Sequence, residues 1–378
     1  PSFHHKDKIH APAMFMRVLL FFMCCISAFF ILSLYHSQAL AFRMSTVWKE
    51  DRSPEAADGR VPMCASSLSV PLLIVEASFL LSSPDLSSLP CLSLKRVRTA
   101  VEQTHRHSEQ LKAVKGRIMY MKKEKDYWMF YKGNERRAML PFETRSYGNI
   151  HVPVNVTKFL ADWRRAKLIS CKRVKMGRDK APREISLKFV NDLARLRDYL
   201  QEVNVHLVLG EGTLLGWYRE CSFIPHTYDV DFYISSHEYS DEVLKHLDAN
   251  TSDFTVTRVL GKPSESFEMT VISNANPEIN IDLFLLFTTA SGSYIGGLDW
   301  PSREKFKWSL PRTTSFCTGL LLDRLFWVPC NVEDVLTASY GEWKEDHPTE
   351  DFSWSQSSKN VESNGFYTED DMRSMRNI

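Results

Sequence analysis

The sequence predicts an α/β fold, in which helices flank a mixed sheet and a single transmembrane helix and stem come first. Three observations lead to this prediction. Helix-like and strand-like patterns alternate between residues 184 and 288, acidic residues interrupt two of the apolar strands, and residues 18–35 are uncharged and apolar. The 378 residues are enough for one large domain or two, with a substantial core.

The composition is ordinary for a globular protein and does not point to nucleic acid. The chain is 44% hydrophobic and 25% charged, with a formal net charge of +1. Basic and aromatic residues are mixed in residues 119–131, a composition also found at nucleic-acid interfaces. A hairpin around the Lys-Glu-Lys-Asp turn explains that stretch better, because its two flanks alternate between apolar and polar residues. We therefore expect no nucleic-acid partner.

The apolar segment near the start predicts a membrane anchor. It reaches the roughly 18 apolar residues that a spanning helix needs, and it exceeds the core of a signal peptide. Lys6, Lys8 and Arg17 precede it, which keeps the short N-terminus in the cytosol by the positive-inside rule. The expected topology is single-pass type II. A cleaved signal peptide is the alternative, because residues 39–41 resemble a cleavage site.

Two further features agree with this topology, which predicts a Golgi or ER membrane protein with a lumenal catalytic domain. Asn155 and Asn250 begin possible N-glycosylation sequons. Six cysteines follow the apolar segment, and they allow 15 pairings among which the sequence does not choose. Their wide spacing argues against a zinc module, in which ligands come in close pairs.

The pattern along the chain predicts an ordered series of regions. A second apolar stretch, residues 70–81, contains Pro71 and Glu76, so it fits a buried strand leading into a helix better than a second span. The predicted regions are a cytosolic N-terminus at 1–17, an anchor at 18–36, a stem at 37–67, a small α+β region at 68–150, a main domain at 151–366 and a loosely held polar tail at 367–378.

Within the main domain, periodicity predicts each element in turn. Apolar residues at helical spacing predict an amphipathic helix over residues 184–202. A buried strand then ends in a turn at Gly210, and a short helix follows. The remaining elements are strands at 229–235, 254–260, 267–273 and 279–288, with a helix at 241–247.

Three carboxylates in this domain predict a metal and phosphate site. Asp229 and Asp231 occupy alternate positions of one strand and therefore share a face. Asp282 interrupts a strongly apolar strand, where a carboxylate is costly unless it is paired or binds metal. Hard oxygen ligands favour Mg²⁺ or Mn²⁺. The alternatives are a solvated strand face for the pair and a salt bridge for Asp282.

The turn and helix before the pair resemble the LicD and fukutin group of the nucleotidyltransferase superfamily. That group has Gly-Thr-Leu-Leu-Gly-x-x-Arg, then Ile-Pro, then Asp-hydrophobic-Asp, a pattern that falls on Gly212 to Gly216, Arg219, Ile224, Pro225, Asp229 and Asp231. The resemblance covers roughly residues 152–366. It implies a nucleotidyltransferase-like fold, with Asp282 as the superfamily's third carboxylate. Bacterial members have extra acids just before the pair, whereas this chain has His226, Thr227 and Tyr228, like the animal branch.

The resemblance implies a transferase that moves a phospho-alditol or related group from a CDP-linked donor to a glycan hydroxyl, with release of CMP. The three aspartates are then both metal ligands and catalytic residues. Gly212 and Thr213 would contact phosphate at the helix N-terminus. Arg219 would pair with phosphate or with the aspartates, or serve structurally on Asp229. A basic cluster consists of Lys305, Lys307 and Arg312, and the alternatives are that it holds the donor or an acidic acceptor, or that it forms a solvated face.

Two other functions fit parts of the sequence. A Golgi nucleotide-sugar glycosyltransferase also uses Asp-x-Asp to bind metal, and it would release UDP or GDP rather than CMP. An inert member would bind glycan or assist partner glycosyltransferases. The retention of all three acids weighs against an inert member.

Overall fold

The described part of the chain contains two β-sheets with helices packed around them. The structure is a computed structural model, and it describes residues 69–82, 97–176, 183–249, 251–346 and 353–377. The first sheet has seven strands and the second has eleven, and each has its own hydrophobic core.

The first sheet comes from the N-terminal part of the described chain. Its strand order is β5-β4-β3-β2-β1-β7-β6, with parallel pairing between β1 and β7 and between β2 and β3. The stretch predicted to run from a strand into a helix does so, and the predicted hairpin is β3–β4. The strands are β1 Leu72–Ile74, β2 Thr99–Glu102, β3 Ile118–Lys123, β4 Trp128–Lys132, β5 Glu135–Met139, β6 Thr144–Tyr147 and β7 Ile150–Pro153.

The second sheet carries the acidic strands. Its main path is β15-β16-β8-β9-β12-β11-β10-β18, with β13, β14 and β17 branching from β12. The pairing of β9 with β12 is parallel. The strands are β8 Val208–Leu209, β9 Asp229–Ser235, β10 Phe254–Lys262, β11 Ser266–Ser273, β12 Asn276–Thr288, β13 Ser293–Asp299, β14 Glu304–Leu310, β15 Phe316–Leu321, β16 Arg324–Pro329, β17 Val361–Phe366 and β18 Arg376–Asn377.

Seven α-helices pack around these sheets in the described residues. They are α1 Ala77–Leu81, α2 Val156–Arg165, α3 Val190–Gln201, α4 Glu211–Glu220, α5 Asp241–Leu247, α6 Val332–Tyr340 and α7 Glu369–Arg373. Short 3₁₀ helices cover Gln103–His105, Glu109–Arg117 and Leu187–Phe189. The predicted helices at 184–202 and 241–247 are confirmed as α3 and α5, and the predicted strands of this region as β9 to β12.

Helix α3 has the buried apolar face that the sequence periodicity predicts. Leu193, Leu196 and Leu200 are fully buried and lie on one face, as the spacing requires. Arg197 lies on the same face and is also fully buried. Its guanidinium donates to Asp126 in the β3–β4 turn at 2.9 Å and to the carbonyl of Leu325 in β16. A single arginine therefore joins α3, the first sheet and the second sheet.

The tail, expected to be loosely held, is bound to the second sheet. Strand β17 pairs with β14, and β18 pairs with β10. Helix α7 begins with a capping box, in which Thr368 accepts from the Asp371 backbone and donates to its carboxylate. Lys262 of β10 forms an ion pair with Asp371 at 2.7 Å. These contacts were not visible in the sequence because the tail has no apolar periodicity.

The predicted fold class and location both need correction. The prediction was one mixed sheet preceded by a transmembrane helix, whereas the structure has two sheets. No helix within the described residues is long and apolar enough to cross a membrane. A single-pass type II protein in the Golgi or ER membrane is therefore not supported. The predicted anchor at 18–36 lies outside the described residues, as does the stem.

Two disulfides resolve part of the pairing that the sequence left open. Cys171 pairs with Cys221, and Cys317 pairs with Cys330. Cys221 caps the end of helix α4 in the left-handed conformation, with φ of 59°. The first disulfide therefore attaches the end of that helix to the segment that follows α2.

Removing the Cys171–Cys221 disulfide should lower stability substantially. The bridge closes a loop across a sequence separation of 50 residues, so its loss releases chain entropy in the unfolded state. We expect the Cys171→Ser, Cys221→Ser double variant to lose about 2–5 kcal/mol in free energy of unfolding, measured by urea denaturation. Replacing the Cys317 and Cys330 pair should cost less, because that loop is shorter. An equal or larger loss there would contradict the chain-entropy explanation.

Candidate active site

Two neighbouring parallel strands bring the three predicted aspartates together. In the register of β9 and β12, Asp231 lies beside Asp282 and Asp229 lies beside Asn280. Side chains at alternate positions of a strand share a face, so all three carboxylates point to the same side of the sheet. One ligand atom from each lies within 4.8 Å of the others. This is the cluster that the sequence predicted.

A hydrogen-bond network orients Asp282, the most buried of the three. Its Oδ1 accepts from the hydroxyl of Thr270 at 2.5 Å and from Nη2 of Arg258 at 3.3 Å. Arg258 also donates to Thr270 at 2.9 Å and to Glu268 at 2.7 Å. Asp282 therefore belongs to the acidic cluster and also has the cationic partner that the salt-bridge alternative requires.

The Gly-Thr turn contacts Asp231. The hydroxyl of Thr213 accepts from the backbone N–H of Asp231 at 2.9 Å. A Cβ on Gly212 would lie 3.4 Å from Asp231 Oδ2, and the Gly212 N–H faces that carboxylate. Gly216 allows close packing, because a Cβ there would approach the Ser222 carbonyl to 2.8 Å. The motif thus fixes helix α4 against the strand that carries the acidic pair.

The electrostatics of the cluster suit a divalent cation. Burial raises the pKa of Asp231 well above its ordinary value, and the charges of Asp229 and Asp282 raise it further. Burial also raises the pKa of Asp282, although Thr270 and Arg258 partly offset it. A cation would relieve this repulsion. The donor set consists of carboxylate oxygens, which fits Mg²⁺ or Mn²⁺.

The carboxylates line a cavity of about 500 Å³, a volume in the range of small-molecule sites. Gly212, Arg219 and Arg258 also line it. Another part of the wall is aromatic and includes Trp308 and Trp354. The cavity therefore combines a charged region with an aromatic region.

Several cavity residues were missed in the sequence because nothing in their local pattern marks them. Arg258 and Glu268 come from β10 and β11, and only antiparallel pairing brings them beside Asp282. Burial, followed by the charge of Asp282, raises the pKa of Glu268 to about 8. A lone acid in an apolar strand was the available signal for Glu268, the same signal that identified Asp282.

Glu211 is the third missed group. It is the first residue of α4 and has a positive φ of 33°, which is unfavourable for a residue other than glycine. Its carboxylate accepts from the hydroxyls of Tyr233 at 2.6 Å and Tyr340 at 3.5 Å. Burial raises the pKa of Glu211. Backbone strain and a buried acid thus coincide at the wall of the cavity.

Arg219 is the first of the remaining predicted site residues. Arg219 lines the cavity, but its guanidinium donates to the carbonyls of Trp343 and Glu345 and to the carboxylate of Glu220. Those contacts differ from the predicted pairing with the aspartates, and the pairing of Arg219 with phosphate stays a prediction.

The structure describes the predicted basic cluster and one of the two sequons. Lys305 pairs with Glu265 at 3.3 Å, and Lys307 pairs with Glu362 at 3.1 Å. Arg312 donates to the carbonyl of Thr289. Asn155 is exposed and caps helix α2 by accepting from the Lys158 N–H. Asn250 lies outside the described residues.

Two known families match different parts of the chain. Residues 63–170 match the W02B3.4-like N-terminal domain. Residues 204–331 match the LicD/FKTN/FKRP nucleotidyltransferase domain. The second match contains all three aspartates.

Known proteins match long stretches of the chain. The uncharacterized protein T07A5.1 of Caenorhabditis elegans is 33% identical over 267 residues, or 69% of this chain and 70% of that protein. The uncharacterized protein W02B3.4 of the same organism is 35% identical over 259 residues, or 66% of each chain. The human ribitol-5-phosphate transferase FKTN is 31% identical over 170 residues, or 44% of this chain and 35% of that protein. With its acidic cluster and these matches, the chain belongs to the LicD/fukutin family.

Proposed function

We propose that the protein is a metal-dependent transferase that moves a phospho-alditol, such as ribitol phosphate, from a CDP-linked donor to a glycan hydroxyl. The observation that carries this proposal is the convergence of Asp229, Asp231 and Asp282 in a cavity of about 500 Å³. Membership of the LicD/fukutin family indicates a phosphotransferase-type, glycan-modifying function. The donor and acceptor are the proposed part.

The chemistry is a phosphoryl transfer. The glycan hydroxyl oxygen forms a bond to the phosphorus that bears the alditol, the bond from that phosphorus to the CMP oxygen breaks, and a carboxylate of the cluster accepts the hydroxyl proton. A bound Mg²⁺ or Mn²⁺, held by the three aspartates, would neutralise phosphate charge. The protein's own contribution is to position the reactants and stabilise charge.

Individual residues have separate tasks in this proposal. Arg258 lines the cavity beside Asp282 and is about one-third exposed, so it can bind a donor phosphate while it orients that carboxylate. Thr213 and Gly212 hold Asp231 in register with the start of helix α4. We therefore assign a phosphate-binding role to Arg258, because it lines the cavity, whereas Lys305 and Lys307, to which the sequence had also assigned that role, do not.

A screen of CDP-linked donors tests the proposal. The chain would be incubated with CDP-ribitol, CDP-glycerol or CDP-choline and a glycan acceptor, and CMP release measured. We expect CMP release to require Mg²⁺ or Mn²⁺ and to stop when EDTA is added. UDP or GDP release from nucleotide-sugars would instead favour a glycosyltransferase. If no donor gives nucleotide release, the transferase proposal is refuted, and ligand binding without transfer remains as the activity.

Replacing Arg258 with glutamine should lower turnover about 10- to 100-fold, the usual effect of removing a group that orients a metal ligand. The change removes a donor to Asp282 and a phosphate-binding cation together. Arg258→Lys should recover part of the loss, because the charge remains but the forked geometry does not. Arg303→Gln is the matched control, since Arg303 is an exposed arginine paired with Glu369. Equal turnover in Arg258→Gln and the unmutated chain would refute this role.

A further inference from the structure

The aromatic region of the cavity has no role in the phosphoryl transfer described above. Trp308 and Trp354 line the same cavity as the three aspartates. Trp308 is buried, whereas 46% of Trp354 is exposed. The two rings lie 5.7 Å apart, and Phe306 meets Trp354 edge-on at 5.3 Å. Trp354 is thus fixed at its edge while much of its surface remains open.

The surroundings hold both rings in place before any ligand arrives. Trp308 is fixed by β14, which pairs with β13 on one side and β17 on the other. Gly297 of β13 makes room for its ring, because a Cβ there would come within 2.9 Å of it. The turn that carries Trp354 is closed by hydrogen bonds between residues 353 and 357, and the Lys359 N–H donates to Ser339 of helix α6.

We infer that Trp354, supported by Trp308 and Phe306, is the stacking surface for the nucleobase of the donor. This inference rests on the proposed function. The carboxylates and Arg258 provide for the phosphates, so a nucleotide bound there must extend its flat, uncharged base along another part of the wall. An indole face that is already ordered stacks on a base at little entropic cost. Of the two tryptophans that line the cavity, Trp354 is the one whose ring is exposed.

Base stacking predicts that the Trp354 ring contributes to nucleotide affinity, whereas phosphate binding alone does not predict this contribution. Truncating a stacking aromatic residue costs about 1–3 kcal/mol per base, which corresponds to roughly 5- to 150-fold in affinity. We expect Trp354→Ala to weaken CMP binding by about tenfold or more in the presence of Mg²⁺. Ribose 5-phosphate has the sugar and phosphate but no base, so its affinity should not change. Trp354→Phe should retain most of the affinity for CMP.

The test is a calorimetric titration of the full chain with CMP, together with competition by ribose 5-phosphate. Phe366→Ala is the matched control, because Phe366 is an aromatic residue of β17 that is 64% exposed. Thermal melting checks that each variant is folded. Unchanged CMP affinity in Trp354→Ala would overturn the inference. So would an equal loss for CMP and ribose 5-phosphate, or a rise in acceptor KM with CMP affinity unchanged, which would assign the ring to the glycan.

A panel with AMP and UMP separates failure of this inference from failure of the proposed function. If AMP or UMP binds in a Trp354-dependent manner and CMP does not bind, the stacking surface stands and the CDP-linked donor is refuted. If CMP binds equally well to the unmutated chain and to Trp354→Ala, the donor stands and the stacking surface is refuted.

Discussion

Replacing Asp231 with asparagine is expected to lower turnover about a thousandfold or more, the largest functional effect among the single substitutions considered. Asp231 is the central carboxylate, because Asp229 shares its strand and Asp282 is its partner in the neighbouring strand. Its loss removes a proposed metal ligand and part of the proposed charge stabilisation, which is worth several kcal/mol in such sites. CMP release from the donor identified in the screen measures the effect.

The same substitution should not destabilise the metal-free protein. Three buried or half-buried carboxylates within 4.8 Å repel one another, and asparagine removes one of the charges while keeping the shape. We expect the melting temperature in EDTA to rise or stay equal. Asp253→Asn, at an acid whose side chain is 73% exposed, should change neither quantity. Full activity in Asp231→Asn would remove the acidic cluster from the mechanism.

Replacing Arg197 with methionine should give the largest loss of stability, about 3–5 kcal/mol in free energy of unfolding. Methionine fills a similar volume but removes the arginine donor from the carbonyl of Leu325 and leaves the carboxylate of Asp126 with its longer ion pair to Arg324, at 3.7 Å. Asp126 is only 11% exposed, so water does not replace the lost hydrogen bond fully. Urea denaturation of the full chain measures the loss.

Arg195→Met is the matched control for Arg197. Arg195 lies on the same helix, but its side chain is 48% exposed and its partners are Asp192 and Asp253. Exposed ion pairs contribute about 0–1 kcal/mol, so this change should be nearly neutral. Similar losses in the two variants would mean that the effect comes from the helix and not from the link between the two sheets.

The sequence predicted the elements around the acidic strands because each one has a clear period. The apolar spacing in α3, the alternation in β9 and the acid inside β12 are local signals, and all three appear in the structure. The resemblance supplied the expectation that Asp282 is the third carboxylate of the site. The motif and the apolar pattern together therefore predicted that Asp282 belongs with the acidic pair.

The remaining features depend on contacts between distant residues, which no local period encodes. Arg258 was unmarked because its role comes from the pairing of three strands. Lys305 and Lys307 looked like a binding cluster, but each is neutralised by an acid 40 or 55 residues away in the sequence. The fold-class prediction named one mixed sheet, because the α+β region predicted at 68–150 contains no motif that indicates a sheet of its own.

The register of β9 against β12 makes the site sensitive to insertions and deletions in these strands as well as to substitution of its carboxylates. Alternate residues of a strand face opposite sides, so a shift of one residue would turn Asp282 away from Asp231 and place Ile281 or Leu283 at that position. Conservative substitutions of the apolar residues in the two strands alter packing locally. A single insertion or deletion within either strand would separate the carboxylates altogether, so length changes in this part of the chain should be confined to the turns between strands.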